Sequence, residues 1–234
     1  MAEQFNGFTA ETTELLMGIR MNNTKEWFEP RKADYKAQVT MPLKLLAEEA
    51  YTFMQKLDTS FNGRPKVSRP YRDTRFSKNR DPIKECAWFF LRTDASPGIQ
   101  HDEPTYFFEI SPDWWRCGLG FWPMKASGLA AYRKKIEAAP DHAVRLVQEA
   151  TQHGRFVLEG DLYKKKMHGD DMSPEAAALM QMKNLTFIRM GQHDKAMCSR
   201  ALLDAICEDF QALHLLQEFF MEVSRMCTDT NVVK

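Results

Sequence analysis

Residues 87–122 read AWFFLRTDASPGIQHDEPTYFFEISPDWWRCGLGFW, and this stretch decides the fold. It holds three runs of aromatic and β-branched residues, at Ala87–Arg92, Thr105–Ile110 and Trp115–Trp122. Such runs are typical of strands, and the segments between them, SPGIQHDEP and SPD, are rich in turn-forming residues. Because the runs follow one another with short loops and no intervening helical pattern, the stretch predicts an antiparallel sheet.

The sequence on either side adds strands and helices. Further strands are predicted at Val67–Phe76, Phe156–Asp161 and Thr186–Met190. The best amphipathic helix opens at Pro42, with apolar residues at three- and four-residue steps up to Leu57. Other helix starts are predicted at residues that favour the first positions of a helix: Thr9, Thr24, Ser127, Pro140 and Ser173. A final helix is predicted from about Ser199 to Met226.

Helices, then a block of strands, then helices again is the order of an α+β protein. We therefore predict a central antiparallel sheet of about four to six strands, flanked by helices from both ends of the chain. No linker is visible in the sequence, so residues 1–234 are predicted to form a single domain. It would comprise N-terminal helices at about 9–58, the strand block at about 66–122, and C-terminal helices with added strands at about 126–226.

Composition places the chain among ordinary globular proteins, with 44% apolar and 27% charged residues in 234. The N-terminal sequence lacks the basic and apolar regions of a signal peptide, and no window approaches the roughly 20 apolar residues of a membrane span. The five cysteines are odd in number and widely spaced, with no CxxC pair. This pattern favours reduced thiols and a cytoplasmic location.

Charge is concentrated in one segment, Arg64–Lys84, which reads RPKVSRPYRDTRFSKNRDPIK. It carries eight Lys/Arg and two Asp, whereas the whole chain has 32 basic and 32 acidic residues. The rest of the chain is therefore slightly acidic. Desolvating a cation without a partner costs several kcal/mol, so this segment must form internal ion pairs or face an anion.

The two outcomes differ in what the arginines bind. If Val67–Phe76 is extended, Arg69, Asp73 and Arg75 share one face, so Asp73 can pair with either arginine, while Arg72 needs a partner elsewhere. In the structural alternative, Arg72 and Arg75 bind acidic residues of neighbouring strands, such as Glu109. In the ligand alternative, Ser77, Lys78 and the amides of the following loop surround an oxyanion. The segment is not a P-loop, because it has neither the glycines nor the GK[ST] of that motif.

Several local patterns together resemble the bacterial domain-of-unknown-function family 2461. The patterns are Asn22-Asn23 with Trp27-Phe28; Arg72–Lys78 with Asp81-Pro82 and Lys84; Tyr106-Phe107-x-Glu109-Ile110-Ser111-Pro112; Gly118-x-Gly120 with Trp122-Pro123; and Arg133-x-x-Ile136. They occur in order along nearly the whole chain. The resemblance implies no activity, cofactor or catalytic residue, because that family has none assigned.

We predict a pocket on the sheet that binds a small phosphorylated or carboxylated molecule. The predicted ligand-binding residues are Arg72, Arg75, Ser77, Lys78, Lys84 and Arg133, the last because it belongs to a motif of the resembled family. One alternative is a hydrolase or transferase that uses Glu109 or Asp73 as the proton carrier in the same pocket.

A second alternative is a non-catalytic structural or interaction protein, or a binder of single-stranded nucleic acid. Aromatic residues among the cations favour nucleic acid, whereas the net charge of zero disfavours it. No cofactor is predicted. No metal is predicted either, because neither His168-Gly169-Asp170-Asp171 nor His193-Asp194 has metal-ligand spacing. The sequence predicts no membrane contact and does not indicate the oligomeric state.

Overall fold

The computed structural model describes residues 3–75, 78–93, 103–121 and 125–231, with side chains up to residue 226. Its elements form an α+β fold around one antiparallel sheet of six strands in the order β1-β2-β3-β4-β6-β5. The strands are β1 Lys66–Val67, β2 Ala87–Leu91, β3 Thr105–Ile110, β4 Trp115–Phe121, β5 Val157–Glu159 and β6 Leu185–Gly191. The predicted fold class and strand number are confirmed.

Helices precede, interrupt and follow the strands. They are α1 Ala10–Met21, α2 Lys25–Phe28, α3 Lys32–Tyr35, α4 Met41–Leu57, α5 Ala126–Ala138, α6 Pro140–Thr151, α7 Pro174–Met180, α8 Ala201–Ala212 and α9 His214–Asn231. One π-helical turn, Lys36–Thr40, joins α3 to α4. No helix of the described residues is both long and apolar enough to cross a membrane.

Predicted helix starts agree with the structure at four of the five positions. Thr9 caps α1, Thr24 accepts a hydrogen bond from the Trp27 amide, Pro140 opens α6, and Ser173 caps α7. Ser127 is the exception. The carbonyl of Lys125 already accepts the first helical hydrogen bond of α5, so Ser127 lies inside the first turn instead of capping it.

The predicted last helix is wrong in one respect, because it is two helices. The chain tightens at Leu213, whose amide binds the carbonyl of Phe210 three residues earlier rather than four. This contact ends α8 at Ala212, and α9 starts at His214. Leu213 is fully buried, so the break keeps the apolar side of the segment inside the protein.

The predicted strand Val67–Phe76 is also much shorter in the structure. β1 contains only Lys66 and Val67, which pair with Phe90 and Phe89 of β2. Beyond it, the hydroxyl of Ser68 accepts the amide of Trp88, so a side chain takes the place of a ladder partner. Pro70 has no N–H to donate, and pairing resumes only as an isolated bridge at Tyr71. Phe76 lies outside the described residues.

The chain divides into two compact units. The first comprises Met1–Asp94, Phe107–Cys117 and Met190–Asp209. In its core, Phe108 stacks between the rings of Phe8 and Phe89, with ring centroids 6.0 and 5.6 Å away. In this unit α4 also packs on β2.

The second unit comprises Ala95–Tyr106, Gly118–Arg189 and Phe210–Lys234. Its core is built around α9, where Phe220 contacts the rings of Phe121 and Phe187. In this unit α5 packs on both α7 and α9.

Candidate functional site

The basic segment forms a loop with a closed base in the first unit. Tyr71 and Ile83 face each other in an antiparallel bridge. Beside them, the Arg72 amide donates to the Pro82 carbonyl and the Lys84 amide to the Pro70 carbonyl, each at 2.8 Å. These backbone hydrogen bonds fix the positions from which the side chains of Arg72 and Lys84 extend.

The base of this loop is tied to the N-terminal helices. The side chain of Asn23 donates to the carbonyl of Ile83 at 2.9 Å and accepts its amide at 3.0 Å. The Tyr71 hydroxyl donates to the Glu29 carboxylate at 2.5 Å, and the Lys32 ammonium lies 5.4 Å from the Tyr71 ring centroid. The position of the loop base is therefore set by side chains 39 to 60 residues away in sequence.

From Lys84 into β2, successive side chains point alternately to the two faces of the extended chain. Ala87, Phe89 and Leu91 are buried in the core, whereas Trp88 and Phe90 are half-buried on the other face. Trp88 and Phe90 stack with their ring centroids 4.3 Å apart, and the Lys84 ammonium lies 5.6 Å from the Trp88 centroid. The row on this second face thus contains a cation next to two stacked rings.

The hairpin of β3 and β4 adds an ion pair on the same second face. Arg116 binds the Glu109 carboxylate through both Nε and Nη2, each at 2.6 Å. Its guanidinium carbon lies 5.1 Å from the Trp114 ring centroid. The turn is held by Ser111, whose amide donates to the Trp114 carbonyl at 2.8 Å and whose hydroxyl accepts the Asp113 and Trp114 amides.

These residues form one cluster, which we call the cationic-aromatic face. Its members are Arg72, Lys84, Cys86, Trp88, Glu109, Trp114 and Arg116. Cys86 lies between the two halves, because burial and the nearby Glu109 raise the pKa of its thiol while the charge of Arg72 lowers it. All of the members belong to the first unit.

The carboxylates near Cys86 pair with cations other than Arg72 and Lys84. Glu109 pairs with Arg116, and Glu85 pairs with Arg20 at 2.6 Å. Arg20 also binds Asp113 at 2.5 Å, so it holds the β3–β4 turn as well. Arg20 thus serves both Glu85 and Asp113, and none of these three carboxylates pairs with Arg72 or Lys84.

The side chains of Arg72 and Lys84 form hydrogen bonds only with carbonyl groups among the described residues. The Arg72 Nε donates to the Asp81 carbonyl at 3.2 Å, and the Lys84 Nζ donates to the Arg69 carbonyl at 2.8 Å. Both side chains are half-buried, whereas the six other cations of Arg64–Lys84 are exposed. The face thus carries two surplus positive charges that are partly removed from water.

The pKa values on this face reflect the same imbalance. Burial lowers the pKa of Lys84, and the neighbouring charges of Arg72 and Arg69 lower it further against an opposing effect of Cys86. Burial and the adjacent Glu109 raise the pKa of Cys86 to about 12, so this thiol is neutral at physiological pH. Cys86 therefore does not offset the two surplus cations.

The other predicted site residues lie in different surroundings. Arg75 pairs with Asp73 at 2.7 Å, and both side chains are more than half exposed. Lys78 is exposed in the loop, and Ser77 lies outside the described residues. Arg133 belongs to the second unit, where it donates to the Met180 carbonyl at 3.0 Å and lies 4.9 Å from the Tyr163 ring centroid.

These contacts correct one expectation for the carboxylates and agree with another. The counter-ion of Glu109 is Arg116, instead of Arg72 or Arg75. Asp73 is the partner of Arg75, as strand parity allowed, and the hydrogen bonds from Arg75 lower the pKa of Asp73 to about 2. The structure therefore brings Arg72, Lys84 and Glu109 together, and it directs Arg75 to Asp73.

Potential metal ligands do not cluster in the part of the chain that the structure describes. No group of three or more His, Cys, Asp or Glu side chains there lies close enough to hold a metal ion.

Comparison with known proteins identifies the family. The family model of the conserved hypothetical proteins DUF2461 matches residues 11–219. The chain belongs to this family. The predicted family is thereby confirmed, and no curated protein matches the chain.

The local patterns shared with DUF2461 have structural roles in this chain. Asn23 holds Ile83, and Phe28 is fully buried. Gly118 lies against the neighbouring strand, because a Cβ atom there would be 1.8 Å from the Phe187 carbonyl oxygen. Glu109 is the partner of Arg116. These patterns therefore describe both the fold of a DUF2461 protein and part of the cationic-aromatic face.

Sequence reasoning missed Cys86, Trp88 and Arg116 as members of this face, although a signal was present for each. Lys84, Cys86 and Trp88 alternate along an extended segment, so they share a side. Arg116 follows Glu109 across a turn that begins at Ser111 and Pro112, so a hairpin register would have paired them.

Proposed function

We propose that this protein binds a small phosphorylated or carboxylated molecule on the cationic-aromatic face. The observation that supports the proposal is the charge balance. Arg72 and Lys84 are half-buried and close to each other, and no carboxylate of the described residues pairs with either. An anion between them compensates for the burial, and for the repulsion from Arg72, that lower the pKa of Lys84.

The geometry of the two cations suits an oxyanion. The Nε of Arg72 is taken by the Asp81 carbonyl, and its two Nη groups make no hydrogen bond with the described residues. A guanidinium matches phosphate or carboxylate through two parallel hydrogen bonds, and each such charge-assisted bond contributes about 1.5–3 kcal/mol. The Lys84 ammonium has two further N–H groups beyond the one bound to Arg69.

Residues of the adjacent loop extend the proposed site. Lys78 lies on the loop between Arg72 and Lys84. The ligand contacts predicted for Lys78 and Ser77 stay predictions. The roles predicted for Arg75 and Arg133 also stay predictions. A proton-transfer role is less favoured for Asp73, because a carboxyl group with a pKa of about 2 holds no proton near neutral pH.

Thermal unfolding in the presence of anions tests the proposal. Inorganic phosphate, ribose 5-phosphate and citrate serve as probes. A ligand present at 100 times its dissociation constant stabilises a protein by about 2.7 kcal/mol, which corresponds to a rise of several degrees in melting temperature. We expect at least one probe to produce such a rise, and Arg72→Gln and Lys84→Gln each to remove most of it.

Two matched variants control for the loss of positive charge. Arg64→Gln and Lys66→Gln remove exposed cations of the same segment and should keep the response to anions. Without ligand, Arg72→Gln and Lys84→Gln should melt no lower than the wild-type protein, because each removes a surplus charge. The proposal fails if no anion raises the melting temperature, or if all four variants respond like the wild type.

A further inference from the structure

We infer that the anion bound by the cationic-aromatic face carries a planar ring, and that it is a free nucleoside phosphate. This inference rests on the proposed function and names the class of ligand. It is carried by the aromatic side chains that accompany the surplus cations, since a site for a bare phosphate needs none.

Three rings on this face are less buried than the rings on the core face, although Phe107, which shares the side of Glu109 in β3, is 4% exposed. Trp88, Phe90 and Trp114 are half-buried, whereas Phe89, Phe108 and Trp115 on the core face are at most 4% exposed. Large rings that keep part of their surface in water beside polar groups are typical of binding surfaces.

Cations and rings also alternate on this face. The Lys84 ammonium lies 5.6 Å from the Trp88 centroid, and the Arg116 guanidinium carbon lies 5.1 Å from the Trp114 centroid. Both distances are within the roughly 6 Å range of cation–π contact. A ligand held by Lys84 through its phosphate therefore places the group attached to that phosphate beside the Trp88–Phe90 stack.

Charge on the same face selects a ligand that is anionic at one end only. The Arg116–Glu109 pair is electrically neutral as a whole, and Cys86 is a neutral thiol. Among the described members of this face, the positive charges without an acidic partner are those of Arg72 and Lys84, next to the rings. A phosphate joined through a sugar to a planar base matches this arrangement of one charged end and one stacking end.

The number of half-buried cations favours a free nucleotide over a nucleic acid. Only Arg72 and Lys84 among the eight cations of Arg64–Lys84 are half-buried, which suits one phosphate group. The formal net charge of the chain is zero, so its overall field attracts a polyanion little.

Binding measurements with matched ligands test the inference. The probes are AMP, GMP, CMP and UMP against ribose 5-phosphate, which has the same charged end without a base. Isothermal titration and tryptophan fluorescence report binding. We expect at least one nucleoside monophosphate to bind at least tenfold more tightly than ribose 5-phosphate.

Variants separate the ring contact from the charge contact. Trp88→Leu should remove most of the tenfold preference and leave the affinity for ribose 5-phosphate within about twofold. Phe90→Leu should reduce the preference as well, and it serves as the second variant if Trp88→Leu does not fold. Trp27→Leu, which changes a half-buried tryptophan that packs on Gly18 instead, should keep the preference.

The outcomes distinguish this inference from the proposed function. Equal affinity for ribose 5-phosphate and every nucleoside monophosphate overturns the inference and leaves anion binding intact. Tighter binding of a single-stranded oligonucleotide, with a steep dependence on salt, overturns the free nucleotide in favour of a polymer. Failure of every phosphate to bind overturns both the inference and the proposed function.

Discussion

At the scale of single residues, Asn23 links the N-terminal helices to the candidate site. The bridge between Tyr71 and Ile83 uses hydrogen bonds of the flanking residues, so the amide and carbonyl of Ile83 point away from it. The side chain of Asn23 binds both groups, as a neighbouring strand would. One amide side chain therefore completes the pairing at the base of the basic loop.

Replacing Asn23 with alanine should destabilise the protein by about 2 kcal/mol. The reason is that both backbone groups of the buried Ile83 lose their partner, and an unsatisfied buried group costs about 1–3 kcal/mol. Urea unfolding followed by circular dichroism measures the change.

Asn22→Ala provides the comparison for this variant. Asn22 is exposed and its side chain donates only to the Gly18 carbonyl, so its removal should cost less than about 1 kcal/mol. If Asn23→Ala unfolds at the same urea concentration as Asn22→Ala, then Asn23 does not hold Ile83.

At the scale of elements, the segments that were predicted well are those whose structure is decided by their own residues. β3 was predicted at its observed ends, because aromatic residues fill Thr105–Ile110 and turn residues flank it. β1 was predicted too long, because Ser68 and Pro70 interrupt a segment whose composition is still typical of a strand. The break at Leu213 was missed, since the apolar spacing continues through it.

The residues of the candidate site divide in the same way, into those that the local sequence predicts and those that depend on distant contacts. Arg72, Lys84 and Glu109 were named from composition and parity, which are local properties of the sequence. The pairing of Glu109 with Arg116 depends on the β3–β4 register. The negative charge of Glu85 is compensated by Arg20, which lies 65 residues away in sequence. The sequence therefore could not show which cations lack an acidic partner, because this requires the three-dimensional positions of all the ion pairs.

The close approach of β4 and β6 depends on Gly118. A Cβ atom at this position would be 1.8 Å from the Phe187 carbonyl oxygen, a backbone atom that cannot move without displacing its strand. We therefore expect Gly118→Ala to destabilise the protein by about 3 kcal/mol or more, or to prevent soluble expression. Thermal unfolding of the purified variant, and its soluble yield, measure the effect.

Gly154→Ala is the matched glycine replacement. Gly154 has a φ of +68°, but no atom lies within 4 Å of the added Cβ, so only backbone strain of about 1–2 kcal/mol is expected. Equal melting temperatures for the two variants would show that β4 and β6 tolerate a side chain at position 118.

At the scale of the whole molecule, the net charge of zero does not show how individual acidic and basic side chains are paired. Arg20 joins Glu85 and Asp113, Arg116 joins Glu109, and Arg200 joins Glu49 at 2.5 Å. Arg20 and Arg200 pair with acids at least 65 residues away, whereas Arg116 and Glu109 belong to one hairpin. The surplus at Arg72 and Lys84 is a local departure from this balance, which is why total charge alone did not reveal it.

Buried acids that must lose a proton determine how stability changes at alkaline pH. Burial raises the pKa of Cys207 to about 12, as it does for Cys86, and it also raises the pKa values of Tyr35 and Tyr132. In the unfolded chain a thiol has a pKa near 9. Above that pH the unfolded state loses protons that the folded state keeps, so the unfolded state is favoured.

The contribution of the two buried thiols to the free energy of unfolding is therefore fully present below about pH 9 and is lost as the pH rises toward 12. One proton of difference changes the free energy of unfolding by at most about 1.4 kcal/mol per pH unit, and partial access to water reduces this figure. Lys84 acts in the opposite direction, because its lowered pKa relieves an unfavourable charge as the pH rises. We expect the urea midpoint of the wild-type protein to fall between pH 8 and pH 10.

The double variant Cys86→Ser/Cys207→Ser isolates the thiols, since serine does not titrate in this range and all other groups are unchanged. Its midpoint should fall less between pH 8 and pH 10, by the equivalent of about 1 kcal/mol, whatever its stability at pH 8. Cys198→Ser, which changes an exposed thiol, should follow the wild-type curve. Parallel curves for the double variant and the wild type would mean that both thiols titrate in the folded protein as they do in the unfolded chain, and that burial does not protect them.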